Sequence, residues 1–207
     1  MEIIPAILEE DFSEIEKKLK TYSNLSKTVH IDFIDGVFAE NKTFLTPAPF
    51  LSFANIFNLE AHLMVSEPIK YLDPLAGVGF KRFLGHIEKM ADQEEFVAKG
   101  QLLGEVGLAL DIDTKVSSIT VPFEDLDEIF LMSIKAGASG REFDPRVVEK
   151  IEEISQKTFI PVAVDGGINS DTIRLVAAAG AEKFCVNSFL WLADPKVQYS
   201  NLLKALE

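Results

Sequence analysis

His30 and Asp32 sit two residues apart in the stretch Thr28-Val29-His30-Ile31-Asp32-Phe33-Ile34-Asp35-Gly36. In an extended chain, residues two apart share a side. An imidazole and a carboxylate then project together, just before Asp35-Gly36 breaks the strand. Burying either without a partner is costly. A metal ion or a catalytic proton transfer would account for both. Asp35, ahead of a glycine, reads as a turn residue instead.

The elements needed to bring partners to this pair can be read from periodicity. Short apolar runs alternate with charged segments of helical spacing. The runs are Ile3–Leu8, Val29–Ile34, Leu59–Val65, Arg82–Ile87, Glu105–Leu110, Glu128–Ser133, Phe159–Asp165 and Glu182–Val186. Helical segments are expected from Asp11 through Leu19, Pro68 to Leu75, Ala91 to Gly100, Asp144 to Ile154, Asn169 to Ala179, and Asp194 to Leu206. A short helix is expected around Phe50–Ala54, after an irregular loop from Asn41 to Pro49. Alternating strands and helices imply a parallel sheet. Eight such units over 207 residues fit an α/β fold of the (β/α)8 TIM-barrel kind, one domain over residues 1–207. An open doubly wound sheet that binds a dinucleotide would want Gly-x-Gly-x-x-Gly after the first strand, and none is present.

Barrels of this kind place their chemistry at the C-terminal ends of the strands. The chain has three histidines, His30, His62 and His86, one in each of the second, third and fourth runs. The seventh run ends in Asp165, followed by Gly166-Gly167. A lone histidine in an apolar strand is commonly a hydrogen-bonded core residue, and His86 is open to that role or to one supporting a ligand. Together, His30, Asp32, His62 and Asp165 can converge at one barrel end. Two imidazoles and two carboxylates suit a divalent Zn, Mn, Fe or Co ion. Ala136-Gly137-Ala138-Ser139-Gly140, Gly166-Gly167 and Asn187-Ser188 follow the last three runs. Small residues there suit a phosphate group. Each alone would pass for an ordinary turn.

Composition narrows the partners. Net charge is −13, which argues against nucleic acid but leaves room for a small phosphorylated ligand held by backbone N–H groups. No apolar run approaches the roughly 18 residues of a membrane span, so no membrane partner is expected. The single cysteine, Cys185, excludes an intrachain disulfide and a cysteine-based zinc site. The N-terminus lacks a basic region and a cleavage signal. A reducing cytoplasm is the expected location.

These segments, taken together, resemble the ribulose-phosphate 3-epimerase family. The resemblance runs from Pro5 to Trp191. It is carried by Pro5-Ala6-Ile7-Leu8, His30 to Gly36, Asn41-Lys42-Thr43-Phe44, Ala61-His62-Leu63-Met64-Val65, His86-Ile87-Glu88, Gly107-Leu108-Ala109-Leu110 and Val164-Asp165-Gly166-Gly167-Ile168-Asn169. It implies a barrel of the ribulose-phosphate-binding type and a divalent metal on His30, Asp32, His62 and Asp165. It also implies that Asp32 and Asp165 move protons at C3 of a ketose phosphate through a metal-stabilised enediolate. Ile34, Met64 and Met132 would lie over the intermediate, and a homo-oligomer is possible. D-ribulose 5-phosphate is the first expected substrate, with a hexulose phosphate such as D-allulose 6-phosphate next. A metal- or sugar-phosphate-binding relative without turnover is the reading from another class.

Departures from the family pattern cluster around the substrate. Ala6 stands where the family has a serine. Ala136-Gly137-Ala138-Ser139-Gly140 replaces Pro-Gly-Phe-Gly-Gly, and Asn187-Ser188 replaces Gly-Ser. After the second strand, Val37, Glu40 and Leu45 stand for histidine, proline and glycine. Asparagine tolerates positive φ best among non-glycine residues, so Asn187 is expected to preserve the turn. An orotidine-phosphate-type decarboxylase would want Asp-x-Lys-x-x-Asp, which Asp111-Ile112-Asp113-Thr114-Lys115 does not supply.

Overall fold

The strand β2 (Thr28–Ile34) shows how the barrel is built, because all of its residues are buried. Val29, Ile31 and Phe33 face outward into a layer of 45 buried apolar residues between sheet and helices. Ile34 faces inward into a smaller cluster of 12. This alternation is what a strand covered on both faces requires.

A computed structural model describes residues 1–207. The other strands are β1 (Glu2–Ile7), β3 (Asn58–Met64), β4 (Phe80–His86), β5 (Glu105–Leu110), β6 (Glu128–Met132), β7 (Val162–Asp165) and β8 (Lys183–Val186). They close in sequence order, all pairs parallel, with β8 returning to β1. The expected eight-stranded barrel is therefore present. Six α-helices wrap it: α1 (Phe12–Tyr22), α2 (Ile69–Ala76), α3 (Gln93–Gln101), α4 (Arg146–Ser155), α5 (Thr172–Ala179) and α6 (Pro195–Ala205). None is long and apolar enough to cross a membrane. After β2 and β5 the return is made by 3-10 turns, Ala48–Phe53 in the first case and Val116–Ser118 and Phe123–Asp125 in the second. The run expected from Phe159 pairs only from Val162; Phe159 is fully exposed, and Pro161 has no N–H to donate. Asp11, Asp92 and Asp194 cap α1, α3 and α6 by accepting backbone N–H groups, which stops each helix fraying at its start.

Inside the barrel, side chains lie in layers. The layer nearest the strand starts is charged. Arg82 donates to Glu60 at 2.5 Å and reaches Glu105 at 2.6 Å, and Lys183 pairs with Glu128. Glu60 and Glu128 are both essentially inaccessible. Burial, reinforced by the neighbouring Glu60, pushes the Glu128 carboxyl up to about 7 despite Arg82 and Lys183. A carboxyl raised in the folded state costs no stability while protonated in both states. The cost appears as pH climbs through the window from the unfolded value to about 7. Glu128→Gln is therefore expected to flatten the fall in stability between pH 5 and 8 relative to the unsubstituted protein. Urea midpoints at several pH values check this, and parallel curves would exclude it.

Candidate active site

The next interior layer holds the candidate site residues. Parallel register sets Asp32 opposite His62 and His30 opposite Glu60 on β2 and β3, while Asp165 ends β7 opposite Met132 of β6. His30, Asp32, His62 and Asp165 each offer a ligand atom, and these atoms lie within 4.8 Å of one another. Asp32 Oδ1 is 2.8 Å from His62 Nδ1 and 3.3 Å from His30 Nε2. Thr43 closes the strand end by donating its hydroxyl to Asp32 O at 2.7 Å while accepting Ile34 N–H at 2.9 Å.

The electrostatics of these four groups differ sharply. Burial opposes ionisation of Asp32, but the close approach and charge of His30 and His62 hold it well below the usual carboxylate range. Burial raises Asp165 to about 7, and the nearby Asp32 adds to that rise. Burial lowers His62 to about 4, outweighing the pull of Asp32. Burial also disfavours a charged His30, but the carboxylates of Asp32 and Glu60, with the Cys185 sulfur at hydrogen-bond distance, lift it well above the ordinary histidine value. Two carboxylates in one cavity thus prefer opposite protonation states, the arrangement an acid–base pair needs.

A divalent cation fits these residues. His30 Nε2 is buried without a hydrogen-bond partner. The surroundings that lift His30 favour positive charge beside that nitrogen, and a cation supplies it. The donor set of two imidazoles and two carboxylates matches Zn, Mn, Fe or Co.

The small-residue loops divide. Ser139, Gly140, Gly166, Gly167, Asn187 and Ser188 line a narrow cleft with Asp32 and Asp165. Beyond it, a cavity of about 450 Å³ is lined by Gly140, Gly167, Ile168, Thr172 and Ser188. Gly166 and Gly167 have φ of 108° and 62°, and a Cβ on Gly167 would lie 2.9 Å from the Phe143 backbone. Only glycine suits both. Gly137 and Ala138 do not share that cleft. They face the loop after β2, across a separate cavity of about 860 Å³, because Gly137 packs on Ala39. Asn187 also departs from expectation: its φ is −112°, not positive. Its side chain does the bridging, accepting from Lys18 at 3.2 Å and donating to Ser139 at 3.4 Å. Met64 and Met132 are buried with Ile34 in the interior cluster at the same end. Asp35 is the expected turn residue, accepting N–H groups from Val37, Phe38 and Ser66.

Several residues at the site were not singled out from the sequence. Glu60 accepts from His30 Nδ1 at 2.5 Å, and the Cys185 sulfur lies 3.5 Å from the same nitrogen. Burial pushes the Cys185 thiol up, so it stays neutral. Phe130 stacks on His30 with ring centres 5.2 Å apart and 9° between planes. Glu60 had a legible signal, since it lies two residues before His62 on the same strand face. His86, which the sequence left open to a core role or one supporting a ligand, links His62 to Glu88.

A closed barrel of eight parallel strands that gathers His30, Asp32, His62 and Asp165, beside small-residue loops, at the C-terminal strand ends defines a (β/α)8 barrel with an enzyme-like site. Residues 2–191 match the model of the ribulose-phosphate 3 epimerase family. The ribulose-phosphate 3-epimerase of Schizosaccharomyces pombe is 33% identical over 187 residues, 86% of this chain and 82% of that protein. The cytoplasmic isoform from Oryza sativa is 30% identical, over 99% of this chain and 94% of its own length. The chain belongs to the ribulose-phosphate 3-epimerase family and is an isomerase of the carbohydrate-phosphate epimerase class. The solved structure of 3-hexulose-6-phosphate synthase from Salmonella typhimurium superposes with a TM-score of 0.73 over 100% of this chain and 98% of that one. At 15% identity it speaks for the fold alone.

Proposed function

We propose that the protein epimerises C3 of a phosphorylated ketose, with D-ribulose 5-phosphate and D-xylulose 5-phosphate as the first pair. The observation that carries this reading is the convergence of His30, Asp32, His62 and Asp165 within 4.8 Å around an unpartnered imidazole nitrogen. A Zn, Mn, Fe or Co ion held by these four residues would polarise a carbonyl oxygen and so acidify the neighbouring C–H. Asp32 projects from β2 and Asp165 from β7, with β1 and β8 between them. A ketose carbon held between the two offers one face to each. One carboxylate takes the C3 proton. The other, already protonated, delivers its proton to the opposite face, which inverts C3.

The phosphate is assigned to Ser139, Gly140, Gly166, Gly167, Asn187 and Ser188, opening on the larger cavity beside α5. Backbone N–H groups at such a turn hold an anion without a dedicated cation. Met64, Met132 and His62 complete the wall around the sugar. The cleft between the two aspartates has only about 30 Å³ of free space. Gly140, Gly167 and Ser188 line both this cleft and the larger cavity, which puts the two in continuity. A cytoplasmic location suits this reading.

The test is solvent exchange. Incubated in D₂O with ribulose 5-phosphate, the metal-loaded protein is expected to place deuterium at C3 and form xylulose 5-phosphate. A chelator should abolish both, and returning the metal should restore them. A hexulose 6-phosphate run in parallel ranks the sugar lengths. Ligand binding with no exchange for any ketose phosphate at full metal occupancy would overturn the proposal.

A further inference from the structure

We propose that Glu88, acting through His86, is a positioning residue that fixes which nitrogen of His62 is left bare to bind a divalent cation. The inference rests on the reading of His62 as a metal ligand and adds the group that controls it.

A neutral imidazole carries its proton on one of two nitrogens, and a ligating nitrogen must be the unprotonated one. Without a cation, ionised Asp32 at 2.8 Å draws a proton onto His62 Nδ1; a cation held by both residues would take that proton's place, and the far side of the ring must then hold the proton on Nε2. His62 Nδ1 faces Asp32, and its Nε2 lies 2.9 Å from His86 Nε2. Two imidazole nitrogens at that distance need one proton between them, donated from either side. The next link holds the polarity that the cation requires. His86 Nδ1 lies 2.8 Å from Glu88 Oε2. An ionised carboxylate only accepts. His86 therefore carries its proton on Nδ1, its Nε2 accepts, and His62 donates from Nε2. The bare nitrogen of His62 is then Nδ1, on the side of Asp32 and the other two ligands. With the opposite polarity, a bare His86 nitrogen would face the carboxylate at hydrogen-bond distance.

The chain is held firmly. His62 and His86 are fully buried. The Phe38 ring covers His86 with centres 4.7 Å apart. The second oxygen of Glu88 accepts the Asp111 N–H at 2.7 Å, which orients the carboxylate. Low polarity around buried links strengthens each of them. Glu88 itself is 23% exposed, so its removal leaves no large hole.

The full chain, stripped of metal and titrated with Zn²⁺ against a chelating dye, tests this. Glu88→Ala is expected to weaken Zn²⁺ affinity about 10–100-fold, and Glu88→Gln, whose carbonyl still accepts from His86, to retain most of it. With three histidines in the chain, ring ¹⁵N spectra of the Zn²⁺-loaded protein report each tautomer. The proposal expects His86 protonated on Nδ1 and His62 on Nε2, with the His86 pattern changed in Glu88→Ala. Zn²⁺ affinity and ring spectra in Glu88→Ala matching the unsubstituted protein would overturn the relay alone. An unsubstituted protein that binds no divalent ion would overturn the metal site and the relay with it.

Discussion

Asp165→Asn is expected to lower ketose-phosphate interconversion about 10²–10⁴-fold, the loss typical of removing a positioned acid or base. Asp32→Asn should lose a similar amount. The two differ in what they do to the metal-free fold. Asp165 is raised to about 7, so its charged form costs stability; the cost grows as pH rises toward 7 and is absent at low pH, where the group is protonated folded and unfolded alike. Asparagine removes that cost, and Asp165→Asn should be more stable than the unsubstituted protein at pH 8 in a chelator. Asp32 is depressed, so its charged form contributes stability above its unfolded value, lost as pH falls through the folded one. Asp32→Asn should therefore be less stable at pH 8. Opposite stability shifts, with catalysis lost in both, distinguish a shared proton-handling pair from two ordinary core carboxylates. Interconversion within tenfold of normal in either variant would count against the pair.

The eight runs were legible because each strand is buried on both faces and reads as a near-continuous apolar stretch. The His30–Asp32 pair was legible because strand periodicity is two, and Asp165 because a glycine pair follows it. Boundaries were lost where local chemistry overrode the apolar signal, as at Pro161. Loop conformations were hidden for another reason. Asn187 could satisfy its turn through φ or through its side chain, and only the approach of Lys18 from α1 and Ser139 from the β6 loop selects the latter. Gly137 belongs by sequence to one small-residue loop with Ser139, yet contact with Ala39 turns it to another cavity. Glu60 and Glu128 read as charges within apolar runs. Their significance depends on Arg82 and Lys183 arriving from other strands, which no local pattern encodes.

Arg82→Met should be the most destabilising single change in the barrel floor. Arg82 bonds Glu60 at 2.5 Å and Glu105 at 2.6 Å, and lies 3.5 Å from Glu128. Glu105 is half-exposed and can turn to water, but Glu60 and Glu128 cannot. Methionine fills much of the space without charge, leaving Lys183 to face two buried carboxylates. Breaking a buried pair by removing one partner costs about 3–5 kcal/mol, and urea denaturation at pH 8 should read a loss in that range. The damage should also reach the site. Glu60 is held near 2 by His30 and Arg82 against the opposing effect of burial, and it accepts from His30 Nδ1. Without Arg82, Glu60 is pushed toward its protonated form and accepts less strongly, so His30 loses the contact that orients its ring. Metal affinity should fall along with stability. Adding Glu128→Gln to Arg82→Met removes one stranded charge and should recover part of the stability. Because Glu60 remains without Arg82, it should recover little of the metal affinity. A loss below about 1 kcal/mol for Arg82→Met, the scale of a surface pair, would mean the floor is reached by water and that Arg82 does not secure His30.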